Sequence, residues 1–464
     1  MNPYQATFDR LAAAAPAIAR STPAERIDKL RRLYQATYDL RAEISAAGFE
    51  ELGMDGKLHL IPLKGEIQYF CERLEGWMAR EKVEPVPELM GRDAYVHYEP
   101  KGVVLHLATW NSPVLISLSP AISMIAAGNA IVIKPSEVAP QSAELVKQII
   151  EKAGLADEIA VVTGGPETAQ ALLELPFNHI CYVGNNRIGR FVMEAAAKHF
   201  AGVTLEMGGK NPAIVAADAD LADAAAKIGY ARHLIAGQVC LSPDYVLVDA
   251  TVKDAFVDAL KTKISAMFNP AGDGFEKSAD LPRIVNERHT LRIKALIDDA
   301  VAKGARVVFG GEIDVAKRFI APTILEGVTP AMDIFDEEVF GPVIFVQPFA
   351  TREEAVKEVA KRPKPLGLYV FTQNREMADY FIDHTRAGTS AINNAVVQAN
   401  IATLPFGGAN HSGIGRLGGR AGFIEFSNPR GVVEDSLDQS QSSMMFYPPY
   451  PPEAAMFIEH MLTP

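Results

Sequence analysis

Two polar residues of this chain have the types and the local sequence that covalent acyl chemistry requires. Cys240 lies in Ala-Gly-Gln-Val-Cys-Leu-Ser-Pro-Asp, and Glu206 lies upstream in Leu-Glu-Met-Gly-Gly-Lys-Asn-Pro. A free cysteine is most often a buried apolar residue, but Gly-Gln before Cys240 and Ser-Pro after it indicate a change of chain direction. Glu206 ends an apolar strand before a Gly-Gly turn, which directs its carboxylate out of a sheet end. A thiol that attacks a carbonyl and a carboxylate that moves a proton can form and cleave a thioester.

Asn111 is the third candidate, in Thr-Trp-Asn-Ser-Pro. Its side-chain N–H can donate to the charged oxygen of the tetrahedral intermediate that forms when a thiol attacks a carbonyl, with the backbone N–H of Cys240 as the second donor. Two structural alternatives stay open. Asn111 is also a favoured residue for capping the helix that follows it. Glu206 is alternatively a strand-end carboxylate bonded to the amides of Gly208 and Gly209.

The elements that position these residues alternate along most of the chain. A Thr-x-x-Glu capping pattern opens a long helix from Thr22 to about Leu52, and a second helix covers about Leu63 to Glu81. Strands are then predicted near 103–108, 130–134, 160–163, 179–183 and 203–206, with helices near 117–127, 141–153, 167–174 and 188–199. The alternation restarts with strands near 213–216, 245–249, 306–309, 343–348, 367–371 and 389–393, and helices near 219–235, 251–266, 287–303, 351–361 and 375–385. This pattern predicts an α/β fold of two successive doubly wound parallel-sheet domains, with their boundary near Glu206.

Composition excludes several classes of function. The 464 residues are 48% hydrophobic and 22% charged, as in ordinary globular proteins, and the net charge of −12 argues against nucleic-acid or acidic-membrane partners. Cys71, Cys181 and Cys240 have no close spacing, so neither a disulfide framework nor a metal site is predicted, and a reducing cytoplasm suits them best. The uncharged stretch Gly102–Ile133 is interrupted by Pro, Gly and Asn, which favours a buried strand, helix and strand over a membrane span.

Seven segments resemble the signatures of the aldehyde dehydrogenase superfamily, and they occur in the order typical of that family. Two of them are the Cys240 and Glu206 segments. The other five are Thr109–Pro113, Ile133–Glu137, Gly184–Gly189, Glu337–Pro342 and Leu404–Gly408.

The resemblance implies NAD(P)-dependent oxidation of an aldehyde to a carboxylic acid. In that mechanism Cys240 is the nucleophile, Asn111 stabilises the oxyanion, and Glu206 activates the water that cleaves the thioester. NAD is the expected cofactor, because Glu137 should repel the 2′-phosphate of NADP, although this branch uses both. The expected cofactor-binding residues are Trp110, Lys134, Glu137, Gly184, Ile188, Gly189, Glu338 and Phe340.

The resemblance also implies an organisation in domains. A cofactor domain would comprise residues 1–82 and 100–207, with 404–426 returning to it, and a catalytic domain would comprise 208–403. A small β element for bridging and oligomerisation would comprise 83–99 and 427–440, followed by an extended tail at 441–464. The sequence is similar to the class 3 branch and its coniferyl and aromatic aldehyde dehydrogenases, which implies a cytoplasmic homodimer acting on an aromatic or medium-chain apolar aldehyde.

Two other functions stay open on sequence grounds. A CoA-acylating aldehyde dehydrogenase would cleave the thioester with CoA, but such relatives generally lack a carboxylate at the position of Glu206. A cysteine hydrolase or acyltransferase would need a histidine base, for which His233 is the candidate near Cys240 in sequence. Gly413–Gly418 has the Gly-x-Gly-x-x-Gly spacing of a dinucleotide site, but no strand leads directly into it, so we predict that it does not bind the cofactor.

Overall fold

The computed structural model describes residues 2–86, 92–435 and 448–463. Its α-helices are α1 Gln5–Ala19, α2 Pro23–Asp39, α3 Arg41–Leu52, α4 Leu60–Met78, α5 Pro113–Ala127, α6 Pro140–Lys152, α7 Pro166–Leu173, α8 Asn186–Ala197, α9 Leu221–His233, α10 Lys253–Phe268, α11 Glu287–Ala302, α12 Arg352–Ala360, α13 Arg375–His384, α14 Gly419–Glu425 and α15 Pro452–Leu462. Its strands are β1 Glu81–Lys82, β2 Asp93–Pro100, β3 Val103–Leu107, β4 Ala130–Lys134, β5 Ile159–Val161, β6 His179–Gly184, β7 Gly202–Met207, β8 Pro212–Val215, β9 Tyr245–Asp249, β10 Arg306–Phe309, β11 Ile313–Asp314, β12 Phe319–Ile320, β13 Thr323–Glu326, β14 Val343–Phe349, β15 Gly367–Phe371, β16 Thr389–Ile392, β17 Gly413–Ile414 and β18 Ser427–Glu434.

The first large sheet has six strands in the order β17-β7-β6-β3-β4-β5. All pairs are parallel except β17, which runs antiparallel to β7. One face packs against apolar side chains of α1, α7 and α8, including Leu11, Leu172 and Val192. The chain starts at β3, moves outward through β4 and β5, and returns to β6 on the other side of β3. The strand order therefore reverses between β3 and β6, where open α/β sheets bind ligands at their carboxyl ends.

The second large sheet has seven strands in the order β10-β13-β14-β9-β8-β15-β16, parallel except for β10. Side chains of α9 and α10, such as Ile228 and Phe256, cover one face. Those of α11, α12 and α13, such as Ile293 and Phe381, cover the other. Helices on both faces explain why the central strands are wholly apolar, and the predicted fold class is confirmed.

A separate small unit comprises Met78–Tyr98 and Pro429–Pro464. It contains a three-stranded sheet of order β1-β2-β18, in which β2 and β18 fall mainly within the ranges predicted for the bridging strands and β1 lies just before them. Parts of those predictions, at 87–91 and 436–440, lie outside the described residues, as do 441–447 and 464 of the predicted extended tail. The prediction of an extended tail is wrong for Pro452–Leu462, which forms α15. Proline at the first helical position and the apolar residues that follow allow a helix there.

Local sequence sets several helix ends. The predicted capping box is present at α2, where Thr22 N donates to the Glu25 carboxylate at 2.7 Å and Glu25 N donates to Thr22 Oγ at 3.3 Å. The single long helix predicted from Thr22 to Leu52 is wrong, because the backbone leaves helical geometry at Leu40 and divides it into α2 and α3. The short strand β13 was missed, since its four residues follow a proline and resemble a loop.

Candidate active site

Cys240 lies in the loop between α9 and β9, before the amino end of β9, the central strand of the second sheet. Three residues shortly before it, Ile235, Ala236 and Gly237, all have left-handed backbone conformations with φ of 50°, 51° and 76°. Such φ values are unfavourable for Ile and Ala and persist only where the surroundings enforce them. At Gly237 a Cβ would stand 2.2 Å from the carbonyl oxygen of Gly341, so only glycine suits this turn. The sequence thus builds a constrained turn that presents the half-buried Cys240.

Asn111 connects the end of β3 to this loop. Its Nδ2 donates to the backbone oxygen of Gln238 at 2.9 Å, and its side chain is 4% exposed. The alternative that Asn111 caps the following helix is wrong, because the N-cap residue of α5 is Ser112. An amide nitrogen carries two hydrogens. One of them holds the Cys240 loop, and the second is available to a charged oxygen on a substrate bonded to Cys240.

Gln238 also holds the backbone of the Cys240 loop. Its Nε2 donates to the backbone oxygens of Ile235 and Arg283, at 2.8 and 3.0 Å, and its Oε1 accepts from Val285 N at 2.9 Å. Asn211 holds the other side, where its Nδ2 donates to the backbone oxygen of Cys240 at 2.7 Å. Buried amides that satisfy the loop's backbone groups make the position of the nucleophile well defined.

The thiol of Cys240 is held in its neutral form in the ligand-free site. Burial raises the pKa of Cys240 to about 12, and the carboxylates of Glu338 and Glu206 raise it further in the same direction. A thiolate beside two carboxylates is unfavourable, because like charges repel strongly where water is excluded. The thiol therefore needs a base, or neutralisation of its neighbours, before it can attack.

Glu206 is buried near the end of β7, with 5% exposure. Neither of its carboxylate oxygens has a hydrogen-bond partner among the described residues. The alternative that Gly208 and Gly209 satisfy it is wrong, since the Gly209 amide bonds to Glu338 instead. Burial, opposed by Arg416, raises the pKa of Glu206 well above its usual value. A desolvated carboxyl group without fixed partners and with a raised pKa holds a proton more readily than an ordinary carboxylate, as a general base must.

The turn 337–341, which carries Glu338 and Phe340, is fixed by a buried ion network that the sequence did not reveal. Asp244 is at its centre, with Arg232 Nη1 at 3.0 Å and Lys210 Nζ at 3.2 Å from its carboxylate oxygens. The same carboxylate accepts from Val339 N at 3.1 Å. All three charged side chains are at most 2% exposed. Buried charges are stable only when paired and hydrogen-bonded in this way.

Arginines complete the attachment of this turn. Arg292 Nη1 donates to the Glu337 carboxylate at 3.0 Å and to the backbone oxygen of Glu338 at 3.2 Å. Arg232 Nη2 donates to the backbone oxygen of Gly341. Arg232 also donates to the backbone oxygen of Pro243 at 3.0 Å, in the loop that carries Cys240. The nucleophile loop and the turn of Glu338 therefore share one anchor.

Two further pairs of predicted cofactor residues are in contact. The rings of Trp110 and Phe340 meet edge to face, with centroids 5.5 Å apart. Lys134 Nζ donates to Glu137 at 2.7 Å at the end of β4. Trp110 follows β3 and Lys134 ends β4, so both pairs are at the carboxyl edge of the first sheet, on which β6 and β7 also end. A Cβ at Gly208 would stand 2.2 Å from Glu338 Oε1, so a side chain there would displace the Glu338 carboxylate.

Gly184, Ile188 and Gly189 make local contacts at the start of α8. A Cβ at Gly184 would clash with Tyr182 OH, and one at Gly189 would clash with Met207 Sδ. The Ile188 amide donates to the Asn185 side chain at 3.1 Å, so one of the amides that a helix N-terminus offers to an anion is already bonded. The glycines are therefore explained by close packing of α8 on the sheet, and the structure brings none of the three into contact with Cys240.

His233 is not placed as a base for Cys240. Its Nδ1 bonds to the backbone oxygen of Gly229 at 2.7 Å, and its ring packs against Phe268 at 5.5 Å. Burial lowers the pKa of His233 to about 4. Within residues 2–86, 92–435 and 448–463, no cluster of three or more His, Cys, Asp and Glu side chains is arranged to hold a metal ion. Over the same residues no helix is both long enough and apolar enough to cross a bilayer.

A thiol on a strained turn, an unpaired buried carboxylate and an amide donor thus converge beside the crevice of the first sheet. Residues 3–432 match the family model described as "Aldehyde dehydrogenase family". The chain belongs to that family. It is an NAD(P)-dependent oxidoreductase that acts on aldehydes.

Similar proteins cover nearly the whole chain. The putative aldehyde dehydrogenase AldX of Bacillus subtilis is 38% identical over 422 residues, which are 90% of this chain and 94% of that protein. The dimeric NADP-preferring aldehyde dehydrogenase of Canis lupus familiaris is 40% identical over 385 residues, 83% of each chain. The substrate-bound structure of Staphylococcus aureus AldH has a TM-score of 0.92 and 32% identity, and it covers 100% of both chains. The NAD+ complex of an indole-3-acetaldehyde dehydrogenase has a TM-score of 0.82 and 26% identity, over 92% of this chain and 88% of the other.

The residues that sequence analysis missed are charged or amide-bearing, namely Lys210, Asn211, Arg232, Gln238 and Asp244, which are buried, and Arg292, which is half-buried. Lys210 and Asp244 stand directly before the buried strands β8 and β9, within one or two residues. A charge next to a wholly apolar strand is the signal that would have identified these two residues, because such a group is buried only with a partner.

Proposed function

We propose that this enzyme oxidises an aldehyde through a thioester on Cys240, with Asn111 as oxyanion donor and Glu206 as the base of hydrolysis. The observation that carries this proposal is the state of Glu206, whose two buried oxygens lack partners among the described residues. A carboxylate kept only for stability would be hydrogen-bonded. A carboxylate that must accept a proton from water benefits from free lone pairs and a raised pKa.

The first part of the reaction forms a bond from Cys240 Sγ to the aldehyde carbon, and the thiol proton leaves to a neighbouring carboxylate or water. The oxygen of the resulting thiohemiacetal carries negative charge. Asn111 Nδ2 and the backbone N–H of Cys240 are the proposed donors to that oxygen, and each such donor typically lowers the barrier by about 3 kcal/mol. Loss of a hydride from the former aldehyde carbon to a bound nicotinamide would convert the thiohemiacetal into the thioester. Glu206 then removes a proton from water, the water oxygen attacks the thioester carbonyl, and the C–S bond breaks as Cys240 takes up that proton, with the acid as product.

The chain's residues suit a bound nicotinamide dinucleotide, which supplies the acceptor for the hydride. Lys134 and Glu137 are placed at a strand end to bind the hydroxyls of the adenosine ribose, and the negative charge of Glu137 favours NAD over NADP. Glu338, half-buried above the Gly208–Gly209 turn, is the proposed ligand of the second ribose, and the Trp110–Phe340 pair forms an aromatic wall beside it. Gly184, Ile188 and Gly189 are proposed to approach the diphosphate through their backbone.

The substrate that we propose is an aromatic or medium-chain apolar aldehyde. Helix α5 starts beside Asn111, and Ile116 on its partly exposed face provides an apolar surface. About two turns from Asn111, roughly 12 Å along the helix, Ser119 Oγ donates to Glu66 of α4 at 2.6 Å. Burial raises the pKa of Glu66 to about 7. This carboxyl group favours aromatic aldehydes that carry a hydroxyl group at the far end.

We further propose a cytoplasmic homodimer. The support for the dimer is the similarity to the dimeric NADP-preferring dehydrogenase, together with the small three-stranded unit at the position of the bridging strands. The support for the cytoplasm is that Cys71, Cys181 and Cys240 are all free thiols. Sedimentation of the purified chain would measure the mass directly, and a monomer at micromolar concentration would contradict the dimer.

The test of the proposed function is aldehyde-dependent reduction of NAD and NADP by the purified chain, followed by absorbance, with the organic product identified by chromatography. The panel pairs cinnamaldehyde with its 4-hydroxy analogue, and hexanal with shorter aldehydes. We expect the free acid as product without CoA, and a preference for the hydroxylated ring that is lost in Glu66→Leu. Cys240→Ala should abolish oxidation, whereas the matched variant Cys71→Ala should retain it. A product that forms only with CoA, or equal rates for Cys240→Ala and the wild type, would refute the proposal.

A further inference from the structure

A second carboxylate, that of Glu425, lies near the proposed general base Glu206, and the proposed mechanism does not use it. Glu425 ends α14, and its Oε1 accepts from the hydroxyl of Thr204 at 2.6 Å. Thr204 and Glu206 are two positions apart on β7, so their side chains emerge on the same face of the sheet. The Glu425 carboxylate is therefore one hydrogen bond from the residue two positions before Glu206, on the same face of β7.

A chain of hydrogen bonds fixes this second carboxylate. The wholly buried Thr204 contacts His179 Nε2 at 2.7 Å, and His179 Nδ1 contacts Lys101 Nζ at 3.0 Å. The ammonium group of Lys101 can only donate, so Nδ1 accepts and Nε2 carries the hydrogen that is donated to Thr204. Thr204 in turn donates to Glu425. Every hydrogen in the chain therefore points toward the Glu425 carboxylate and fixes its position.

The protonation of the links agrees with this direction. Burial, together with the adjacent charge of Lys101, lowers the pKa of His179 to about 3, so the ring is neutral. The charge of Glu425 opposes the desolvation that lowers the pKa of Lys101. Lys101 and Glu425 thus form the two charged ends of one chain that passes through a neutral imidazole and a hydroxyl group.

Glycines bring the same groups close to Glu206. A Cβ at Gly415 would stand 2.3 Å from Glu425 Oε1 and 3.1 Å from Thr204 Cγ2. A Cβ at Gly407 would stand 2.9 Å from Glu206 Oε1 and 2.9 Å from Arg416 Cδ. Side chains at either position would separate the carboxylates from the strand. The segment that contains Gly407 and Gly415 therefore allows Glu425 and Arg416 to lie close enough to Glu206 to influence it.

We propose that Glu425, anchored by the Lys101–His179–Thr204 chain, is a positioning residue that sets the pH at which Glu206 can act as base. The inference rests on the role proposed above for Glu206. The titratable and charged groups that face Glu206 are Arg416 from the segment before α14, Glu425 from α14, Cys181 from β6 and Cys240 from the nucleophile loop. Arg416 is itself fixed by the backbone oxygens of Gly408 and Gly415, at 2.7 Å each, so a cation and an anion of fixed position act in opposite directions.

The test is the pH profile of thioester hydrolysis in Glu425→Gln. Removing a negative charge near Glu206 lowers the pKa of the base, so the acidic limb of the profile should move to lower pH by up to roughly one unit at an effective dielectric of about 20. Lys101→Met removes a positive charge behind Glu425, so the acidic limb of that variant's pH profile should move to higher pH. The matched control is Glu376→Gln, an exposed carboxylate on α13, which should leave the limb unchanged.

A second readout does not depend on turnover. The carboxyl stretching band of Glu206 in the ligand-free protein is identified by its loss in Glu206→Gln, and its titration is followed by infrared difference spectroscopy. We expect the same downward shift in Glu425→Gln and an upward shift in Lys101→Met. A purely structural role of the chain would lower the rate or the stability at every pH without moving either titration, and that result would overturn the inference. If the wild type oxidises no aldehyde, the proposed function fails, and the infrared titration alone still decides this inference.

Discussion

The thiol of Cys240 should alkylate slowly in the ligand-free enzyme, and its rate should be steeply dependent on pH. With a pKa of about 12, roughly 10⁻⁴ of the thiol is ionised at pH 8, whereas about a quarter of an ordinary thiol of pKa ~8.5 is ionised. Only the thiolate reacts with iodoacetamide, so we expect alkylation about 10³-fold slower than for a free thiol. The rate should rise about tenfold per pH unit from pH 7 to pH 10, without a plateau.

Two variants separate the causes of this low reactivity. Glu338→Gln and Glu206→Gln each remove a carboxylate that raises the pKa of Cys240. Each should accelerate alkylation at pH 8 by roughly tenfold, the effect of a unit charge about 10 Å away at an effective dielectric near 20. The assay is mass spectrometry of the peptide containing Cys240, with the half-buried Cys71 as reference in the same sample. A plateau near pH 8.5, or equal rates in the variants and the wild type, would show that burial and these charges do not control the thiol.

Three further outcomes are expected. Asn111→Ala should lower kcat by about 10²- to 10³-fold, measured by steady-state kinetics, because an oxyanion donor is lost, and an unchanged kcat would argue against that role. Glu206→Gln should accumulate a covalent acyl-enzyme visible by intact-mass spectrometry during turnover, and the absence of such an adduct would count against Glu206 as the hydrolytic base. Asp244→Ala leaves Arg232 and Lys210 buried without their partner, so urea unfolding should show a loss of about 3–5 kcal/mol, and a loss below about 1 kcal/mol would mean that the network relaxes easily.

Sequence analysis predicted the structure most accurately where a local pattern of residue types determines a helix or a strand. Hydrophobic periodicity predicted most of the two large sheets and their helices, since apolar runs such as Ala130–Lys134 and Gly367–Phe371 fill the interior. The Thr22–Glu25 pattern predicted the start of α2, because a capping box is made of residues three apart. Both signals are local, and local contacts are encoded in neighbouring residues.

The rest depends on contacts between distant segments. Nothing near Asp244 in the sequence shows that Lys210 and Arg232 will surround it, and no proline or glycine near Leu40 marks the break between α2 and α3. Motif resemblance identified Cys240 and the other candidate site residues, but it gave no geometry. It did not reveal that the amide nitrogen of Asn111 holds the nucleophile's own loop.

The shared anchor of the two active-site loops has a consequence for how this enzyme can change over time. Because Arg232 bonds to Pro243 on one side and Gly341 on the other, the reactive sulfur and the turn of Glu338 cannot drift independently. We therefore expect changes of substrate to arise elsewhere, at the proposed substrate wall of Glu66 and Ser119. That pair is joined through a serine hydroxyl, whose replacement leaves the ion network untouched. We expect the two anchored loops to vary together and the proposed wall to vary on its own.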